Sequence, residues 1–581
     1  MLSRGAARST SAHTKCRRRS PTNSSRDRSN RVGAKSPESP TTRRPSTAAA
    51  VLNVASLTFF RPSTVVRHMT AEEPRAEPPS DERPPESLWL ATTPETDYEP
   101  LADGLEVDTV VVGGGITGLT TADRLTDAGR TVAVLEADRI VESTTGHTTA
   151  KLTSQHGLVY DFLTSKFDDE RARQYARANE AAIDAVESRI DDLGVNCGFE
   201  RLPAYVYAAS SDDVETVRSE AAAAADLGLP ASFTETTDLP YDVPGAVRFD
   251  DQAQFHPRKY LLAVAESVHG DGSHVFEKTR ALDVDPGDPC EVETERGTVT
   301  ADDVVVATHF PFYDRNGYFA RMHPEQAYLL AVRLRGDPPE GMYYSTASPA
   351  DTFRPCTVDG EELLIVGGQG HDAGENHPPT SERYRRCEAF AREHFDVESV
   401  EYRWSTHDYF PVDRVPFVGR AGPGQEHVYV GTGFKGWGMS NGVAAGEILS
   451  ELVLTGDSPW ADVFDPLRFE PGASARRFVE GNAKVAGHFV GDWAASLLTA
   501  GDLPPSGEGK VTQRNGRPYG VYHDENGDVH AVSAVCPHMK CLVKWNDAER
   551  TWDCPCHGSR FDYDGEVISG PAVEDLPKKE L

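Results

Sequence analysis

Val107 to Glu136 reads VDTVVVGGGITGLTTADRLTDAGRTVAVLE, and this stretch decides the first half of the fold. Thr109 to Val112 is an apolar run suited to a buried parallel strand. It enters Gly113-x-Gly115-x-x-Gly118, then a helix whose Leu119, Ala122 and Leu125 share one face. Gly129 ends that helix, and a second strand, Thr131 to Leu135, runs into Glu136. The order is strand, glycine turn, helix, strand: one βαβ unit. The glycines permit a tight turn and close approach of backbone to a pyrophosphate, with the helix N-terminus facing the phosphates. Gly113, Gly114, Gly115 and Gly118 are the candidate cradle, and Glu136, eighteen residues past Gly118, is placed to hold ribose hydroxyls. The unit binds a dinucleotide; by itself it does not separate FAD from NAD.

Farther along, Val304-Val-Val-Ala-Thr308 reads as a returning strand. Trp404 through Asp413-Arg-Val-Pro416-Phe-Val-Gly419 follows, then Val428-Tyr-Val-Gly431-Thr-Gly433-Phe-Lys435-Gly-Trp-Gly438 and a helical stretch from Asn441 to Leu454. In this order the segments resemble the D-amino-acid-oxidase-like family of FAD-dependent oxidoreductases, which includes glycine and sarcosine oxidases, from about residue 105 to 465. The resemblance implies FAD. It also implies an α/β Rossmann-type FAD-binding domain (segments about 105–195, 300–325 and 401–465) with an inserted antiparallel β-sheet substrate domain (about 196–299 and 326–400). Val366-Gly-Gly-Gln-Gly370 lacks a third glycine and a following acidic strand, so a second nucleotide-binding domain is not expected.

Near the end of the chain, Cys536-Pro-His538 is separated by residues 539–553 from Cys554-Pro-Cys556-His557-Gly558-Ser559. Two Cys/His pairs supply two thiolates and two imidazoles, the set a Rieske [2Fe–2S] centre divides between its two irons. A zinc site uses a similar ligand count, although this is not the usual zinc-ribbon pattern. The run, with Phe561-Asp562 and Gly570-Pro571, resembles the paired loops of the Rieske family. That resemblance implies Cys536, His538, Cys554 and His557 as iron ligands in a small all-β domain over 487–581, after a linker helix over 466–486. It further implies a Cys541–Cys556 disulfide, a Ser559 hydroxyl directed at a cluster sulfide, and solvent-reaching imidazoles that form the electron exit. Phe561 stands where many members carry Tyr, and one lost hydrogen bond lowers the expected reduction potential.

The formal net charge of −32 is unevenly spread. Residues 1–68 hold 14 Lys/Arg and 2 Asp/Glu, a net of +12, which leaves −44 on the other 513. Only 13 of the 59 basic residues are Lys. A dense carboxylate surface of this kind resembles halophilic proteins and disfavours nucleic acid as partner. The longest apolar candidate, Ala48 to Phe60, is too short to span a membrane. Residues 1–68 read as a disordered basic extension or a segment outside the natural product, with Met69 the natural start, in preference to a twin-arginine or transit signal. Residues 69–104 read as an acidic, Pro-rich leader. The body is expected to be cytoplasmic.

Four places bear on the chemistry. Lys435 resembles the position where sarcosine-oxidase-like relatives anchor a substrate carboxylate, and Gly433 lies in the same flavin-side turn. Arg354 is a second carboxylate candidate, with surface ion pairing the plainer expectation. His147 and Thr148 sit in a Thr-rich loop, Ser143 to Lys151, expected to contact the phosphates or flavin ring; dimethylglycine-dehydrogenase relatives bond a nearby His to FAD covalently. His407-Asp408-Tyr409 offers acid–base groups or a packed polar turn. The expected function is oxidation of a small amine or amino acid by FAD, with electrons leaving singly through the cluster to a ferredoxin-like protein or a quinone-type acceptor; the reverse flow, from a ferredoxin-like donor to a substrate, is equally open to the sequence. The alternative is an electron-transfer component for a separate enzyme, with no substrate of its own. A ring-hydroxylating oxygenase is not expected, because only about 24 residues follow His557.

Overall fold

The computed structural model describes residues 85–375, 377–496 and 502–581. The basic extension 1–68, the leader up to residue 84 and the stretch 497–501 lie outside the described residues. From residue 85 the chain is already part of the body. Ser87 caps a short helix, Leu88–Ala91, whose Leu88 and Trp89 are buried.

The glycine-loop unit forms as its sequence dictates. Strand Leu105–Val112 lies in the middle of an eight-stranded sheet, its valines sealed on both faces. Parallel neighbours are Val132–Leu135 on one side and Thr298–Val306 on the other. Val428–Thr432 continues the sheet in parallel, and Phe417–Arg420 closes that edge antiparallel. Helix Ile116–Asp127 buries Leu119, Ala122 and Leu125 and packs against helix Gly438–Thr455.

A second, nine-stranded sheet runs Val397–Pro411, Met322–Leu334, Glu361–Asp372, Thr352–Val358, Met342–Ser345, Glu200–Tyr207, Ala246–Gln254, Lys151–Leu152, with Ala231–Thr234 paired to Ala246–Gln254. Its pairings are antiparallel except Met342–Ser345 beside Glu200–Tyr207. Residues 274–299, expected in this sheet, belong to the other one. His274–Phe276 extends the parallel sheet beyond Val132–Leu135, and Cys290–Thr294 folds back antiparallel onto Thr298–Ala301. The tight turn at residues 295–297 makes that local hairpin the available pairing. Conversely, Val397–Pro411 crosses the expected boundary at 401 as one strand of the large sheet.

The linker is a longer helix than expected, Pro471–Ser496, and runs past residue 487. The C-terminal part has a three-stranded sheet (Glu508–Arg514, Arg517–His523, Val529–Ser533) and a four-stranded one (Lys544–Asn546, Thr551–Asp553, Arg560–Phe561, Val567–Ser569). The described residues all fall in one compact unit. Asp547 accepts hydrogen bonds from Thr380 N (2.7 Å) and Thr380 Oγ1 (2.6 Å), capping the N-terminus of helix Thr380–His394 on the other side of the seam. Burial works against the Asp547 charge, yet hydrogen bonds from Ser381 and Thr380 hold it below the usual carboxylate range. Tyr384 donates to Glu549 (2.7 Å), and Trp493 of the linker helix donates to Lys540 O (3.2 Å).

Candidate functional site

The glycine cradle sits at the C-terminal edge of the parallel sheet, where such folds receive ligands. Gly118 lies so close beneath Gly113 that an added Cβ would stand 1.9 Å from Gly113 O. Gly113 has φ of +110°, and a Cβ there would meet Ala307 O at 2.5 Å. Helix Ile116–Asp127 starts at Gly115 with no side-chain cap, and that open N-terminus fits a pyrophosphate. The buried Thr117 and Thr120 side chains face the other way, onto Gly442 and Gly446 of helix Gly438–Thr455. The Glu136 carboxylate accepts from Gly114 N (2.8 Å) and Asp138 N (3.1 Å), and burial raises its pKa. It stands at the strand end, where a ribose would meet it.

The loop expected to touch the flavin is pinned at several points. Thr145 Oγ1 accepts from Ile116 N (3.3 Å), joining the loop to the cradle. His147 is half-buried, its Nδ1 2.9 Å from Ser143 O and its carbonyl bonded by Trp404 Nε1 (3.0 Å). Burial lowers its pKa. The Thr148 carbonyl accepts from Trp89 Nε1 (2.7 Å). Thr144 Oγ1 reaches His407 O (3.3 Å), so this loop also meets the large sheet.

At the far end, Gly433 (φ +79°) leaves no room for a side chain between Pro411 and Met322. Lys435 follows, itself left-handed (φ +56°) and half-buried, its N–H donating to Tyr409 O at 3.2 Å. Burial, reinforced by Arg414, pushes its ammonium down to about 7. His156 stacks on Trp437 at 5.3 Å, and Tyr344 approaches the same indole at 5.4 Å. Burial, then Lys435, pushes His156 down to about 3, so it is neutral. Asp408 is buried, accepts from Tyr409 N (2.7 Å) and Gly436 N, and burial lifts it to about 7. Arg354 is a correction to the surface ion pair expected of it: it is 1% exposed and hydrogen-bonded to Thr149 O and Gln254.

The Cys/His run folds into two apposed loops joined by the Cys541–Cys556 disulfide. Cys536 and Cys554 are the free, buried thiols at the seam, within hydrogen-bond reach of one another. His538 and His557 stand edge to face at 5.0 Å, and His557 Nδ1 is buried with no partner. Cys541, Cys554 and Cys556 also converge, but two of these sulfurs are spent on the disulfide. Two thiols plus two imidazoles, one with an orphaned nitrogen, fit a mixed-ligand cluster.

Of the two imidazoles expected at solvent, His557 is buried and His538 is half-buried. His557 is 4% exposed, with Phe319 edge-on at 5.7 Å and Tyr409 Oη 3.3 Å from its carbonyl. A Cβ on Gly558 would lie 2.7 Å from His407 Cε1 and 2.6 Å from Pro324 Cβ. His309 lies 4.8 Å from the Tyr409 ring, and its carbonyl accepts from Thr432 Oγ1, beside Gly433. The cluster loops are thus seated on residues that adjoin the cradle. His309, His156 and Trp437 were not singled out as site residues, whereas Tyr409 was, together with His407 and Asp408. For His309 a signal existed: it lies three residues past the end of strand Thr298–Val306, at the ligand-receiving edge of the sheet.

The family model for FAD dependent oxidoreductases matches residues 108–452, and the Rieske [2Fe-2S] domain model matches residues 494–580. A protein of Bacillus subtilis (strain 168) described as a Rieske 2Fe-2S iron-sulfur protein, YhfW, is 37% identical over 500 residues, 86% of this chain and 98% of that protein. The gamma-glutamylputrescine oxidoreductase of Escherichia coli (strain K12) is 24% identical over 404 residues, 65% of this chain and 91% of its own. L-proline dehydrogenase from P. horikoshii has a similar fold: TM-score 0.53 at 19% identity, over 64% of this chain and 100% of that one. No helix among the described residues is long and apolar enough to cross a membrane.

Proposed function

This chain belongs to the FAD dependent oxidoreductase family and carries a Rieske [2Fe-2S] domain, and from that premise we propose that it oxidises the carbon–nitrogen bond of a small amine or amino acid and delivers the electrons singly to an external acceptor. Bound FAD supplies a two-electron acceptor and the cluster a one-electron carrier. Gly113, Gly114, Gly115 and Gly118 would hold the pyrophosphate, Glu136 a ribose, and the His147–Thr148 loop and Gly433 would border the flavin. Cys536, His538, Cys554 and His557 would hold the irons.

Lys435 would anchor a substrate carboxylate, its half-buried ammonium making a charge-assisted hydrogen bond. The Trp437 and Tyr344 rings would flank an amine, and neutral His156 adds no competing charge. Such a site works by orienting the reacting C–H bond and shedding water. The observation that carries the electron-transfer reading is the inward seat of the cluster loops: Tyr409 on His557, and His407 against Gly558. The same burial leaves the Cys536–Lys540 loop, with Met539 exposed, as the face toward an external acceptor. Anaerobic mixing of the purified protein with a panel of N-methylated amines and amino acids tests the reading. Flavin bleaching followed by cluster reduction is expected. No bleaching with any of them, alongside rapid reduction by a ferredoxin, would sink it in favour of an electron-transfer component.

A further inference from the structure

Away from the flavin cradle, a cavity of about 300 Å³ opens between the short helix Leu88–Ala91 and the ends of strands Glu200–Tyr207, Ala246–Gln254 and Thr352–Val358. None of its walls belongs to the glycine loop, to Glu136 or to the Thr432–Trp437 turn. Arg354 lines it. The guanidinium spends Nε on Thr149 O and Nη1 on Gln254 Oε1 (2.8 Å) and Pro355 O (2.9 Å). Nη2 is buried with no partner. All its acceptors are neutral, and among the described residues Arg354 makes no ion pair. Lys151, also buried, is held by Tyr343 O and Thr352 Oγ1, and burial with the neighbouring Arg354 pushes its ammonium well below the ordinary value. A buried cation without an anion is costly, and an anionic ligand relieves that cost.

We propose that this cavity is a binding site for a small monocarboxylate, its carboxylate on Arg354 Nη2 and its body against Trp89, Phe255 and Val358. The single free guanidinium nitrogen matches one negative charge. His256 is no second cation, because burial pushes it down to about 3. At the wall toward solvent, exposed Glu200 accepts from Gln254 Nε2 (3.0 Å) and repels a second negative charge, which disfavours phosphate. The site is tied to the flavin side of the molecule. Arg354 Nε holds Thr149 O and Trp89 Nε1 holds Thr148 O, in the loop whose Thr145 meets Ile116 N of the cradle. Occupancy therefore steadies that loop.

The proposal goes beyond the reaction at the flavin, and its test separates the two. Hydrogen exchange of the FAD- and cluster-loaded protein is measured with propionate and with its neutral isostere propionamide, at matched chloride. Propionate is expected to slow exchange in peptides covering 197–200, 254–256 and 354–358, without shifting the flavin absorption spectrum; propionamide is expected to do neither. By calorimetry, Arg354→Gln weakens propionate binding at least tenfold. Because Arg354 also braces Thr149, a second variant guards against misfolding. Glu200→Gln, on the surface, tightens propionate binding several-fold by removing the repelling charge. Protection confined to residues 432–440, equal protection by propionamide or by chloride alone, or unchanged affinity in Glu200→Gln overturns the proposal.

Discussion

Replacing Lys435 with Met makes the protein more stable and the flavin site worse at holding a carboxylate. Burial, with Arg414 and Arg477 adding repulsion and Glu220 and Glu325 offsetting part of it, pushes the ammonium from an ordinary 10.5 down to about 7. The folded value lies below the unfolded one, so Lys435 costs stability in full below about pH 7. The cost shrinks as pH rises toward 10.5, because the folded chain has already released the proton. At about 1.36 kcal/mol per pH unit the gap sets a ceiling of about 5 kcal/mol, and partial solvent access brings the expected gain to about 2 kcal/mol. A lost charge-assisted hydrogen bond of about 1.5–3 kcal/mol weakens a carboxylate ligand by roughly 10- to 100-fold. The assay pairs thermal unfolding at pH 6 and pH 9.5 with titration of the flavin spectrum by a small carboxylate. In the unaltered protein that affinity falls as pH rises through about 7. Asp408 and Glu220 are both lifted to about 7 by burial and gain negative charge over the same range, so a shallow slope survives in Lys435→Met. A variant that is less stable at pH 6, or that binds the carboxylate as tightly, would refute the reasoning.

The cluster domain and its seat give two further predictions. Breaking the Cys541–Cys556 bridge, which spans 15 residues, with paired Ser substitutions costs about 3 kcal/mol, read as earlier loss of the cluster's visible circular dichroism in guanidinium; an unchanged midpoint contradicts it. Gly558→Ala strains a left-handed residue (φ +74°) by about 1–2 kcal/mol and drives its Cβ into His407 and Pro324. The cluster's electron paramagnetic resonance signal persists while its reduction after flavin bleaching slows, and an unaltered rate counts against the inward seat.

What could be read from the sequence is what local chemistry enforces. Val110 to Val112, the glycine turn and the Leu119, Ala122, Leu125 face leave few folds for residues 107–136, and two paired thiolate–imidazole motifs announce a metal by spacing alone. Cys290–Thr294 illustrates the limit. Its alternating burial suits either sheet, and only its partner, Thr298–Ala301, decides. Arg354 shows a second limit: a lone Arg in a strand reads as surface, and its burial depends on Trp89 and Thr149, more than two hundred residues earlier. The inward turn of His557 was equally out of reach, since it depends on Phe319, His407 and Tyr409 meeting it from the other half of the chain.

That inward turn changes how the two halves work on the proposed reading. Were the cluster on a free tether, its imidazoles would alternate between the flavin and an acceptor. Here the seam is held by the Asp547 cap on helix Thr380–His394, the Tyr384–Glu549 bond and the Trp493–Lys540 bond, and a Cβ on Gly374 would stand 2.8 Å from Pro555. Packed contacts of this closeness do not slide continuously. The cluster is therefore a fixed relay, with one side for receiving electrons and another for releasing them. His557 takes the receiving side, facing Phe319 and Tyr409, and the Cys536–Lys540 loop, which carries half-buried His538 and exposed Met539, is left for release. A rigid relay needs no domain swing between one electron and the next, so on the proposed reading an external acceptor's docking at that loop would set the pace of discharge.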